Sequence, residues 1–247
     1  MTSLDLNADL GEGMGADEAI LEVISSASIA CGGHAGDDTT MRATIRAAKA
    51  RSVTIGAHPG FADREHFGRR RLLLPPRELD DQVRGQVRRL VEIAEEEGAA
   101  VRYLKLHGAL ANMAAEEPAV AALCFASVEG LVKNLAILAL DNSAQAEVAE
   151  AMGFEVVREA YADRAYQPNG LLVPRSEPGA VLHDYEAIAA RAIRLAEKGE
   201  IVATDGTVFE SSARSLCIHG DTPDAMEIAR RLRRSLTDAG IAIATTF

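Results

Sequence analysis

Four of the six histidines in this 247-residue sequence close short apolar runs and stand beside or near glycine. His34 follows residues 27–31 in SASIACGGHAGDD, His58 follows 53–57 in VTIGAHPG, His107 follows 101–106 in VRYLKLHG, and His219 follows 215–218 in SLCIHGD. Apolar runs of this length bounded by glycine read as strands, and glycine lets the chain turn sharply at their ends. Each imidazole is therefore expected at a strand's carboxyl end, projecting from it rather than packed in a core. Carboxylates accompany them at Asp9, Glu12, Asp37, Asp141, Glu159 and Asp163. Such a set supports two chemistries. Imidazoles and carboxylates suit Zn²⁺, Mn²⁺ or Fe²⁺, with Asp9, His34 and His58 as ligands, although no HExxH or other local ligand spacing is present. Metal-free acid–base catalysis draws on the same residues, with Asp9 or Glu159 activating water and a histidine donating to the leaving group. Both remain open at this point. Arg69, Arg70, Arg164, Arg175 and Lys105 are candidate anion holders, because a guanidinium fork matches carboxylate or phosphate.

Taken one at a time, these residues have plainer roles. A lone histidine in a turn usually hydrogen-bonds the backbone, and Asp37, Asp38 and Asp221 read as helix caps. His66 and His183 lack the strand-exit setting and read as surface residues, Arg71 equally as part of a solvated turn. Four histidines in one setting are harder to assign to chance.

The elements that must position them alternate along the chain. Residues 3–8 read as a first strand and 17–25 as a short helix. Asp37 or Asp38 opens a helix with Met41, Ile45 and Ala48 on one face. After the strand at 53–57 comes a polar, basic loop over 61–71. Pro75 and Pro76 then start a long helix, where a missing N–H costs least, with an apolar stripe of Leu79, Val83, Val87, Leu90 and Ala94 and a stop at Gly98. Further strands are predicted at 101–106, 135–140, 155–158 and 215–218, with helices opening at 116–118 and spanning 144–152 and 184–198. Residues 169–181 read as an irregular loop. Asp205-Gly206 between two β-prone runs signals a hairpin, so Asp205 is a turn residue. Thr222 and Pro223 begin a last helix that Gly240 ends. Seven strands alternating with helices imply parallel strands joined by right-handed crossovers. An open doubly wound sheet collects ligands only at its switch point, whereas these polar strand exits are spread along the chain. A closed barrel gathers them at one mouth. The fold predicted is an α/β, TIM-like (β/α) barrel of seven strands, distorted, with one added β-hairpin, over residues 1–247 as one domain.

Composition narrows the function classes. A net charge of −11 disfavours nucleic acid, and no clustered basic face counters it. Three distant cysteines without a CxxC predict reduced, buried thiols at Cys31 and Cys217 and a cytoplasmic protein. The opening MTSLDLNADL lacks the basic-then-apolar order of a signal peptide, and no apolar run approaches a membrane span. GEGMG lacks the G-x-G-x-x-G spacing, and no G-x-x-x-x-G-K-[ST] occurs, so no nucleotide loop is visible.

DLNADLGEGMG, SIACGGHAGD, GAHPGFADREHFGRR, KLHGALAN, EAYADRAY, LVPRS and CIHGDTP, in this order over nearly the full length, resemble the signature blocks of the LamB/YcsF family, identified with the A subunit of bacterial ATP-dependent 5-oxoprolinase. The resemblance implies a TIM-like barrel related to carbohydrate-deacetylase folds. It also implies hydrolysis of 5-oxo-L-proline (pyroglutamate) to L-glutamate coupled to ATP hydrolysis, with Mg²⁺ accompanying the ATP and two further subunits, B and C. The residues it carries over are Asn7, Asp9, Glu12, His34, Asp37, His58, Arg69, Arg70, Lys105, His107, Asn112, Glu159, Asp163, Arg164, Arg175, His219 and Asp221. Of these, Asp9, Glu12, His34, His58, His107 and Glu159 are the expected catalytic set. Asn7, Arg69, Arg70, Lys105, Asn112, Asp163, Arg164, Arg175 and His219 are expected to bind substrate or its anionic groups. The chain departs from the family's usual pattern at Leu106 (proline), Ala111 (tyrosine), the Ser26-Ala27-Ser28 block (SAN) and GFAD (GYPD). These changes bear on packing around residues 105–112 and leave charges and imidazoles intact. Two other classes are a stand-alone metal-dependent amide or N-acetyl hydrolase and a non-catalytic scaffold for the partner subunits.

Overall fold

In a computed structural model describing residues 3–13, 15, 17–218 and 225–247, seven parallel strands close into a ring. These are β1 (Ser3–Leu10), β2 (Ser26–Ala30), β3 (Thr54–His58), β4 (Val101–Leu104), β5 (Ala136–Leu140), β6 (Glu155–Tyr161) and β9 (Ser215–Ile218). The ring closes where β9 pairs with β1, Asn7 opposite Cys217 and Ala8 opposite Ile218. Two short strands, β7 (Glu200–Val202) and β8 (Val208–Glu210), form the expected antiparallel hairpin outside the ring. A further strand, β10 (Ala242–Ile243), adds to the outer end of β1.

The helices are α1 (Asp17–Ile20), α2 (Asp38–Ala50), α3 (Pro76–Glu96), α4 (Gly108–Glu116), α5 (Pro118–Ala126), α6 (Ala144–Ala151), α7 (Tyr185–Lys198) and α8 (Ala225–Asp238). Asp37 caps α2 by accepting from the Thr40 amide at 2.8 Å, and Asp184 caps α7 likewise. The Thr222 and Pro223 cap expected for α8 lies outside the described residues. The first helix is shorter than its pattern suggests, because residues 21–23 form a turn. The α4 helix was not expected: its cap position is His107, whose side chain makes no capping bond, so the usual Ser/Thr/Asp signal is missing.

Alternation in β1 separates two environments. Leu4, Leu6 and Ala8 face the helices, while Asp5, Asn7 and Asp9 face the barrel axis. Asp5 is held at 2.6 and 2.7 Å by the hydroxyls of Ser25 and Ser26, so its burial is matched by donors. Above the Asp5 carboxylate, Asn7 donates to Glu159 and Ser215, each at 2.8 Å. The rest of the interior is a small apolar layer of Tyr103, Ala136, Leu138 and Val157, with Phe247 stacked on Tyr103 at 4.1 Å. Gly56 leaves the space Tyr103 fills: a Cβ there would sit 2.2 Å from the ring. The larger apolar layers lie outside the ring, one between β2–β5 and α2–α6 and one around α7 and α8. No described helix is long and apolar enough to cross a membrane.

Candidate active site

The carboxyl ends of the ring strands bring together most of the predicted residues. Asp9 lies near the end of β1 and Glu12 just beyond it. His58 is the last residue of β3, Lys105 and His107 follow β4, and Tyr161 ends β6. They line a cavity of about 480 Å³ together with Arg69, Arg71, Asn112, Arg164 and Arg175. This is the face where barrel enzymes carry their chemistry, because loops there vary without disturbing the strands.

Three imidazoles pack against one another. The rings of His34 and His107 are stacked at 3.6 Å, and His58 meets His107 edge-on at 4.9 Å. Backbone carbonyls fix two tautomers: His58 Nδ1 is 2.8 Å from the Lys105 carbonyl and His107 Nε2 is 2.9 Å from that of Phe67. Carbonyls only accept, so both these nitrogens carry hydrogens. The inner nitrogens, His58 Nε2 and His107 Nδ1, then face each other across 3.0 Å. Two lone pairs cannot do so without repulsion. In the protein alone, one shared proton resolves the conflict, and its holder is His58. Burial disfavours the His58 cation, but the Asp9 carboxylate, with Oδ2 3.4 Å from Nε2, more than offsets this and raises the pKa. Burial, reinforced by the charge on His58, pushes His34 down to about 3. Burial and the other two imidazoles hold His107 well below its usual range. His34 Nε2 lies 3.2 Å from Glu12 Oε1, while its Nδ1 is buried without a hydrogen-bond partner among the described residues. The proton of neutral His34 therefore belongs on Nε2, donated to Glu12.

The loop after β3 roofs this cluster. Its backbone is left-handed at Phe67 and Gly68, which aims the Phe67 carbonyl at His107. A Cβ on Gly68 would lie 2.8 Å from that of His34, so glycine is needed there both for its φ and for the close approach.

Below the imidazoles, Lys105 is the hub of the polar interior. Its Nζ lies 3.0 Å from Asp9, 2.8 Å from Glu159, 3.1 Å from the Asn7 side-chain oxygen and 3.1 Å from Cys217 Sγ. Burial works against its charge, yet Asp9, the sulfur and Glu159 raise its pKa well above the normal value. Cys217 stays a thiol, its pKa raised by burial. All three cysteines are free and buried.

The lining also combines cations with an apolar strip, Leu171 to Pro174. Arg69 lies over the Phe67 ring at 5.0 Å. Arg164 is buried and donates to the carbonyls of Ala180 and Val173 at 3.2 and 2.6 Å, so it fastens the loop as well as lining the cavity. Among the predicted residues, Asn7, His34, Arg70, Glu159 and Asp163 are not part of the lining. Arg70 is exposed and its nearest carboxylate is Asp63 at 3.8 Å. His219 and Asp221 lie outside the described residues. Asp141, one of the strand-exit carboxylates, is instead an anchor, accepting from Arg158, Ser211 and Ser212 at 2.7–2.9 Å. Tyr161, with Lys105 Nζ 5.2 Å from its ring centre, and residues 171–174 were not singled out from the sequence. Placing the end of the sixth strand at Tyr161 rather than 158 would have found Tyr161. Nothing in an irregular loop marks which side meets a cavity.

The sequence pattern of the LamB/YcsF family matches residues 4–247. The chain belongs to the LamB/YcsF family. It is 44% identical over 248 residues to the A subunit of 5-oxoprolinase from Nitrobacter hamburgensis, covering 98% of this chain and 97% of that one. Among solved structures, the lactam utilization protein from Thermus thermophilus superposes with a TM-score of 0.91 at 38% identity, covering 98% and 99% of the two chains. A family 4 carbohydrate esterase from Streptomyces lividans shares the fold alone, with a TM-score of 0.52 at 12% identity over 100% and 93% of the chains. The expected kinship with deacetylase barrels thus holds at the level of architecture.

Proposed function

We propose that this LamB/YcsF chain is the hydrolytic subunit of a 5-oxoprolinase, opening 5-oxo-L-proline to L-glutamate with ATP-dependent activation by partner subunits B and C. The observation that carries this reading is the full-length match to a protein named as the A subunit of 5-oxoprolinase. The cavity supports it, since carboxylates, imidazoles and arginines line one space with room for a small anionic lactam.

A lactam is a poor electrophile, and phosphorylation of its ring oxygen makes the ring carbon a far better target. In our reading the partner subunits supply that step, using ATP with Mg²⁺, in keeping with the lack of a Walker-type loop in this sequence. Water then adds to the ring carbon, giving its proton to Asp9. The carbon–nitrogen bond breaks as the nitrogen takes a proton from the His58–His107 pair, leaving an acyl phosphate. A second water cleaves that mixed anhydride to glutamate and inorganic phosphate. Two waters and one ATP are consumed per ring opened. Arg69 and Arg175 hold the phosphate and substrate carboxylate. Lys105 pairs with Asp9 and aims it, and Glu159 with Asn7 holds Lys105 in place.

The test is to purify the three subunits and measure glutamate release with ATP from each by itself, from pairs and from the full mixture. Turnover only in the full mixture is expected. Full ATP-dependent turnover by this chain alone would refute the division of labour. A mixture that releases no glutamate would refute the substrate.

A further inference from the structure

We propose that His58, His107, Glu12 and Asp9 form a binding site for a divalent first-row transition metal ion at the floor of the cavity. The site rests on the imidazole geometry, not on which amide the cavity accepts.

The argument starts from the fixed hydrogens. The outer nitrogens of His58 and His107 donate to carbonyls, the arrangement by which metal-binding histidines are usually oriented. Once an ion displaces the proton they share, the inner nitrogens, 3.0 Å apart, both present lone pairs to the space between them. Carboxylate oxygens flank this pair, Asp9 Oδ2 at 3.4 Å from His58 and Glu12 Oε1 at 3.6 Å from His107. Ligands about 2.0–2.2 Å from a small cation stand about 2.9–3.6 Å from one another in octahedral or tetrahedral geometry, and these three edges span that range. Two imidazoles with two carboxylates form a donor set for Zn²⁺, Mn²⁺, Fe²⁺ or Co²⁺ and balance a charge of +2. All four residues line the cavity, so an ion can reach them.

His34 is near enough to be a fifth donor, since one nitrogen or oxygen from each of Glu12, His34, His58 and His107 lies within 4.8 Å of the others. Two features exclude it. Its ring is parallel to His107 within 5° and 3.6 Å away, so their in-plane lone pairs lie in separate planes and do not converge. Ligation through Nε2 would also move its proton to Nδ1, which is buried without an acceptor. His34 is instead a positioning residue for Glu12. The sequence-based ligand set of Asp9, His34 and His58 is thereby replaced by one that includes His107. A bound ion would take the inner nitrogens in place of their shared proton and would polarise a carbonyl or water entering the cavity, leaving Asp9 to return the proton it receives to the lactam's ring nitrogen.

The experiment titrates the chelator-treated full-length chain with Zn²⁺ and Mn²⁺ by calorimetry and counts bound metal by elemental analysis. One ion per chain is expected. His58→Ala and His107→Ala should each lose it, whereas His34→Gln should keep one ion with affinity weakened about 10–100-fold. Electron spin-echo spectroscopy of Mn²⁺ on the unmodified chain should show coupling to imidazole nitrogen, a readout that does not depend on any variant folding. No stoichiometric uptake, no nitrogen coupling, or binding that survives in the His58 and His107 variants overturns the site. Loss in His34→Gln with retention in His107→Ala overturns the ligand assignment.

Discussion

Lys105 Nζ and Glu159 Oε1 lie 2.8 Å apart inside the barrel, with both side chains almost completely excluded from solvent. The same ammonium meets Asp9, so one cation balances two carboxylates, from β1 and β6, strands that only β9 separates in the ring. Removing it takes the ammonium away from two buried carboxylates at once. Lys105→Met is expected to destabilise the fold by about 3–5 kcal/mol and to abolish glutamate release by the reconstituted complex. Denaturant unfolding checks the first outcome; a stability within experimental error of the parent contradicts the buried-hub description.

Asp9 and Glu159 are equivalent as bases in the sequence, yet only Asp9 borders the cavity. Asp9→Asn should lower kcat about 10²–10⁴-fold, the usual contribution of a general base. Glu159→Gln should keep most of its kcat while losing stability. Steady-state kinetics of the two variants in the complex decide between them, and the reverse ranking would transfer the role of base to Glu159.

Arg69 and Arg175 line the same cavity as the imidazoles. Each charged hydrogen bond to an anionic substrate contributes about 1.5–3 kcal/mol. Arg69→Ala and Arg175→Ala should therefore raise KM roughly 10–100-fold, and Arg70→Ala should leave it unchanged. A KM change confined to Arg70→Ala would redraw the binding wall.

Asp141 gives a pH signature of stability. Burial opposes its charge, but bonds from Arg158, Ser211, Ser212 and the Asn142 amide prevail, and its pKa falls below the usual 3.8. A carboxylate depressed on folding contributes fully above its unfolded value, and the contribution fades as pH drops through the folded one. Asp141→Asn should cost about 1–3 kcal/mol near neutrality, with the gap from the parent closing below pH 3.8. Paired melting curves across that range test it; a gap that widens in acid would reverse the sign.

The barrel was legible because strands and helices alternate and several helices carry their own apolar stripe and glycine stop, as in Leu79 through Gly98. Strand-exit histidines located the mouth for the same reason. Depth within the barrel was not legible. Asp5, Asn7 and Asp9 share one face of β1, and only Asp9 reaches the cavity, a difference set by strand tilt and by how high each neighbour ends. Glu159 was placed in the mouth because its strand was ended at 158; the strand runs on to Tyr161, which leaves Glu159 lower, beside Lys105. The α4 helix escaped notice because His107 serves its site role at a position where a capping residue would have announced a helix. Asp141 looked like other strand-exit acids, and only contacts with residues seventy positions away in the chain reveal an anchor.

The loop beyond β6 is fastened through backbone carbonyls that Arg164 grips, while residues 171–174 bring hydrocarbon to the cavity beside Arg175. Holding and shaping are thus assigned to different atoms. Residues 171–173 also pack inward, Leu171 and Leu172 on the core around α7 and α8 and Val173 against Ala165 and Ala180, so a change of size there would reshape the cavity wall while leaving the strand-end groups in place.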